Sequence, residues 1–88
     1  MMYLVKRIEI YDGSIPGCWI EGIYTNADLA RARMREIWEE ENYSLHQDGA
    51  VMQTVDRCWI DGDGDLVMVE VLAIEQDTPV SIFTFEEP

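Results

Sequence analysis

An α+β fold, with one helix packed on one antiparallel sheet of about five strands, is what this sequence predicts. Three observations lead there. Five separate stretches read as strands bounded by turn residues, whereas helical spacing occurs in only one, over 27–41. Turn residues punctuate the stretches: Pro16-Gly17, Asp48-Gly49 and the run DGDG at 61–64. The order reads β-β-α-β-β-β, a two-layer sandwich forming a single domain over 1–88.

The opening stretch, YLVKRIEIYDG (3–13), is a strand with Leu4, Ile8 and Ile10 on one face and Tyr3 and Val5 on the other. SIPG (14–17) is loop. CWIEGIYT (18–25) forms a second strand, joined to the first through a loop longer than the tight two-residue type. A helix then begins, with Thr25 as its cap and Asp28 placed three residues on to reach back to the cap's amide. Ala27, Ala30, Met34, Ile37 and Trp38 make its apolar stripe, and Arg31, Arg35, Glu36, Glu39 and Glu40 fall mostly on the other side. NYSLHQDG (42–49) is a polar exit.

The second half reads as a long hairpin of AVMQTVDRCWI (50–60) and DLVMVEVLAIE (65–75). A two-residue turn at Asp63-Gly64 pairs Gly62 with Asp65, Ile60 with Val67, Trp59 with Met68, Cys58 with Val69, Arg57 with Glu70 and Val55 with Leu72. Almost every pair is apolar, and Arg57–Glu70 joins opposite charges. A turn at Gly62-Asp63 instead sets Ile60 against Asp65 and Arg57 against Met68, a poorer match. VSIFTF (80–85) supplies a final strand before the acidic tail.

The pentapeptides CWIEG (18–22) and CWIDG (58–62) are nearly identical, but their flanks do not align, so they are not a duplicated unit. Cys18, Cys58 and His46 are the chain's only soft metal ligands, fewer than the four a structural zinc requires, although a site shared between subunits stays open. The C-x-x-C spacing of a redox pair is absent. Period two sends Cys and Ile to one face and Trp with its following acid to the other. Both cysteines are therefore expected as reduced, metal-free core residues beneath the helix.

Other motifs dissolve on inspection. Counted from Asp61, a calcium loop needs glycine at its sixth and glutamate at its twelfth position, where this chain has Leu66 and Leu72. Ser44, His46 and Asp48 alternate within one short loop, whereas working triads are assembled from distant parts of a chain. Neither GxGxxG nor a P-loop occurs. A non-enzymatic protein with no catalytic, cofactor-binding or metal residue is expected.

Eighteen Asp and Glu against six Lys and Arg leave a net charge of −12. Direct nucleic-acid binding is disfavoured, because DNA is itself a polyanion, and a protein partner with a basic surface is favoured. The alternative is that the acidity serves solubility alone. Two acidic clusters lie at element ends, Glu39, Glu40 and Glu41 at the helix end and Asp61, Asp63 and Asp65 at the hairpin tip. Acids at a helix C-terminus oppose its dipole, unless Arg35, four residues before Glu39, compensates. The hairpin is apolar on both faces. Val67, Val69 and Val71 make one row, and Trp59, Met68, Leu72 and Val55, with Leu66, make the other. A helix covers one face only, so the second row is expected as an interface, most simply in a homodimer, unless Phe83 and Phe85 fold over it. No apolar run approaches the ~20 residues of a membrane span. The opening MMYLVKRIEI lacks the apolar core and cleavage site of a signal peptide, so a cytoplasmic protein is expected.

The run YLVKRIEIYDG…GIYTNADLARARM resembles small phage and bacterial proteins in which an opening strand is followed by a G-[aromatic]-[Ser/Thr] strand end and an Ala-rich helix. The matching residues are Gly22, Tyr24, Thr25 and Ala30, and the resemblance covers the first half. It implies a ββα start. In size and charge the chain is also similar to acidic phage proteins of the anti-CRISPR type, which block host defence nucleases. The combined expectation is an acidic, DNA-mimicking inhibitor in the host cytoplasm. The alternatives are a small structural or regulatory homodimer and, further off, a small enzyme or metal binder centred on His46 and the cysteines.

Overall fold

The structure, a computed structural model, describes residues 1–41, 43, 50–62 and 64–75. The elements are β1 (Met2–Ile10), β2 (Gly17–Tyr24), α1 (Ala27–Glu40), β3 (Val51–Gln53), β4 (Arg57–Asp61) and β5 (Leu66–Ile74). The strands form one antiparallel sheet in the order β2-β1-β5-β4-β3, with α1 on one face. This is the predicted α+β class and element order.

β1 and β5 occupy the interior of the described sheet because each carries buried apolar residues on both faces or beside its core, and such strands belong where their faces are removed from water. On the helix side, Val5, Cys58, Ile60, Val67, Val69 and Val71 meet Ala30, Met34, Ile37 and Trp38. Full burial of an aliphatic side chain of this size contributes about 2 kcal/mol, so this stripe holds the helix to the sheet. Leu4 and Ile8 point to the far face and are nonetheless buried, Leu4 completely. In the middle of that face Lys6 and Glu70 stand directly opposed on neighbouring strands. They are 7% and 9% exposed, and the Arg57 guanidinium reaches Glu70 at 3.5 Å. Opposite charges set against each other make burial tolerable.

The predicted hairpin register is the observed one. Arg57, Cys58, Trp59 and Ile60 oppose Glu70, Val69, Met68 and Val67, and the Gly62 N–H donates to the Asp65 carbonyl at 2.8 Å. Gly64 closes the turn with φ +85°, and a Cβ there would lie 3.2 Å from Asp12 Cβ. Glycine meets both demands.

The stretch 50–60 is a correction. It is not one strand but two, β3 and β4, reversed through Val55-Asp56, with the Thr54 N–H donating to the Arg57 carbonyl at 2.8 Å. Val55 therefore sits at a turn tip, 65% exposed, and does not pair with Leu72. Polar Gln53, Thr54 and Asp56, with only Val55 between them, supply the turn that apolar spacing concealed. β3 is the fifth described strand. The predicted strand at 80–85 and the suggested cover by Phe83 and Phe85 lie outside the described residues.

The helix begins as predicted but is capped by Asn26, not Thr25. Asn26 Oδ1 accepts from the Asp28 and Leu29 amides at 2.7 and 3.2 Å. Arg33, not Arg35, pairs with acids near the helix end, reaching Glu36 and, at 3.7 Å, Glu40.

The two CWI copies also part company. Cys58 is 2% exposed beneath α1, but Cys18 opposes Ile8 and so faces away from the helix. The cause is a β-bulge. Val5 opposes Gly22 and Lys6 opposes Ile20, which leaves Glu21 as an extra residue in β2. One inserted residue inverts the facing of everything before it. Trp19 and Glu21 turn toward Arg7 on the helix side, while Cys18 and Ile20 turn to the far side. Both cysteines are thiols.

Candidate functional site

The topology gathers acids at one end of the molecule. β1 and β4 finish there, β5 starts there, and the C-terminus of α1 arrives beside them. Contacts on the helix side fix this convergence. Glu41, the C-cap residue, lies 2.9 Å from Arg7 of β1. Tyr43, packed on Trp38 with ring centroids 5.1 Å apart, donates its hydroxyl to Glu9 Oε2 at 2.8 Å. Tyr11 donates to Glu9 Oε1, also at 2.8 Å. At the hairpin tip, Asp65 Oδ1 accepts from the Asp12 amide at 2.9 Å.

Arg7 is the most deeply placed cation among the described residues of this end. Its guanidinium lies 3.0 Å from Glu21 and 3.7 Å from Glu9, and rests 4.8 Å from the Trp19 ring centre. Burial works against its charge, but Tyr43, Glu21 and Glu41 outweigh that and raise its pKa. Burial, followed by the Glu9 carboxylate, pushes Tyr11 up to about 12. The same two causes raise Tyr43 further, although Arg7 pulls the other way. Asp65 and Glu41 also raise Tyr11, so the helix end and the hairpin tip act on a common point.

The predicted acidic residues therefore divide by role. Glu39, Glu40 and Asp61 are exposed. Glu41 and Asp65 hold the architecture through Arg7 and the Asp12 amide, each keeping part of its carboxylate outward. Asp63 lies outside the described residues, as do Ser44, His46 and Asp48. Sequence reasoning missed Arg7, Glu9, Tyr11 and Tyr43. The signal was present in part: Arg7, Glu9 and Tyr11 recur with period two on the side of β1 that also carries Val5, so the inward row turns polar where the strand leaves the core.

Of the predicted apolar face, Trp59 and Met68 are cross-strand neighbours on the far side of the sheet, and with Leu72 they are half-buried. Val55 is not on that face. The exposed large apolar residues within strands lie instead mainly on the two outer strands: Trp19, Ile20 and Ile23 on β2, and Val51 and Met52 on β3. At the opposite end of the molecule from the acids, Met1, Met2, Ile74 and Glu75 line a cavity of about 530 Å³. Among the described residues no three metal-ligating side chains come together, and no helix is long and apolar enough to cross a membrane.

No protein-family model, curated protein or solved structure matches the chain.

Proposed function

We propose that the protein is a non-enzymatic binding module whose acidic end occupies the basic, nucleic-acid-binding surface of a protein partner. The observation that supports this reading is the convergence of carboxylates from separate parts of the chain. Glu39, Glu40 and Glu41 come from the helix end, Asp61 and Asp65 from the hairpin, and Asp12 from the β1–β2 loop, where Asp65 binds its amide. The carbonyl end of the helix dipole adds partial negative charge at the same place. DNA presents about one charge per 1.7 Å of axis, so a competitor must offer several carboxylates together. The setting proposed is the cytoplasm, that of an infected host if the chain is phage-encoded, with a defence or regulatory protein as the target.

The test is competition. Labelled duplex is bound to purified DNA-binding defence effectors with basic grooves, and its fluorescence anisotropy is followed as the protein is added at rising salt. Displacement that weakens steeply with salt is expected. The combination Glu39→Lys, Glu40→Lys and Asp61→Lys should abolish it, whereas Asp28→Lys with Glu75→Lys should not. No displacement at low salt, or equal displacement by both variants, would assign the acidity to solubility.

A further inference from the structure

β2 is an outer strand of the described sheet, and it is not protected as outer strands usually are. Proteins blunt such edges with very short strands, lysines, prolines or bulges. β3, at the other edge, has only three residues. β2 has eight, with neither lysine nor proline among them, and Trp19, Ile20 and Ile23 on it are exposed. Among the described residues its one guard is the bulge at Glu21, which leaves Gly17–Ile20 in unbroken register with β1. On the helix side of that stretch the Trp19 ring lies over Gly17, and on the far side Ile20 stands 42% exposed.

We propose that the outer edge of β2 pairs antiparallel with β2 of a second copy of this chain, joining the two sheets across a two-fold axis. Charge selects this occupant. Two chains of net charge −12 repel each other over most of their surfaces. From Ile15 to Tyr24 the only ionised side chain is Glu21, and Arg7 neutralises it at 3.0 Å. Here a like chain can approach with no uncompensated charge on either side. Antiparallel pairing also points the two acidic ends in opposite directions, the arrangement with least repulsion. A row of strand amides and carbonyls is self-complementary under a two-fold axis. A basic partner, by contrast, finds no uncompensated negative charge along this edge. Three exposed apolar residues on a single strand place the contact with small interfaces, below about 1,200 Å², so a weak dimer is expected.

Sedimentation equilibrium tests this, run from about 10 µM to about 1 mM at low and high salt. The wild type should pass from the monomer mass to twice that mass, and do so at lower concentration in high salt, because screening removes acid–acid repulsion. Binding of a basic partner has the opposite salt response, so the two readings fail independently. Ile20→Lys and Ile23→Lys should each weaken the dimer by at least about tenfold with unchanged circular dichroism. Met52→Lys, on the other edge, and Met68→Glu, on the far face, should leave it intact. If Ile20→Lys does not fold, Ile23→Lys, at a 48% exposed position, and concentration-dependent amide protection of β2 in the wild type decide the matter. A wild type that stays monomeric throughout overturns the proposal. So does a dimer that survives the β2 substitutions or is lost through Met52→Lys or Met68→Glu instead.

Discussion

Tyr43, just beyond the end of α1, donates its hydroxyl to Glu9 Oε2 of β1 at 2.8 Å, while Tyr11 holds the other oxygen of the same carboxylate. Both hydroxyls therefore keep their protons more tightly in the folded than in the unfolded chain. This stabilisation is complete below pH 10, the ordinary tyrosine value. It is lost as pH rises toward about 12 for Tyr11, and higher for Tyr43. Titration by ultraviolet absorbance should show Tyr11 and Tyr43 ionising late, and earlier in Glu9→Gln. Tyr43→Phe should lower stability at neutral pH by about 1–2 kcal/mol in urea denaturation.

Lys6 and Glu70 oppose each other in the two central strands. Removing one of two opposed buried charges costs about 3–5 kcal/mol where the other is left uncompensated, whereas replacing both with apolar residues is often close to neutral. Glu70→Leu alone should therefore be strongly destabilising, and Lys6→Met with Glu70→Leu should recover most of the loss. A double-mutant cycle measures this, and additive losses would show that the two positions are not coupled.

The cysteines should differ in reactivity. Cys58 is buried beneath the helix, and burial pushes its thiol pKa up. Cys18 is half-buried on the far face. Thiol reagent should modify Cys18 in the native protein and Cys58 only on unfolding, as peptide mass spectrometry would reveal. Equal rates at both would contradict the bulge that separates their faces.

Asn26 accepts two amide protons at the start of α1. Asn26→Ala should cost about 1 kcal/mol, read as a lower Tm, and Thr25→Ala far less. The reverse ranking would place the cap one residue earlier.

What the sequence disclosed and what it hid follow from the reach of each interaction. The register of β4 on β5 was legible because Asp63-Gly64 is a local turn signal and every pair on either side of it could be checked for polarity. The helix and its buried stripe were legible for the same reason. The facing of Cys18 was not, because it depends on one unpaired residue, Glu21, recognisable only against β1. The Val55-Asp56 reversal was masked by apolar residues that fit a continuous strand equally well. Glu39–Glu41 and Asp61–Asp65 were visible as acidic runs, but the approach of Glu41 and Asp65 to Tyr11 is a matter of topology. The Arg7–Glu9–Tyr43 contacts span 34 residues, a separation at which no local pattern operates.

Asp12, Glu41, Asp61 and Asp65 concentrate negative charge at one end of the strands, away from the centre of the described residues. In the field of a cationic surface such a body feels a torque as well as a pull, and it turns before it touches. Productive orientations are thereby enriched among encounters. Long-range fields act on association rates more than on the lifetime of the final contact. Salt should accordingly slow an end-on approach far more than it hastens departure. Moving a few carboxylates to the other pole, at constant net charge, should abolish that steering while the total attraction stays the same.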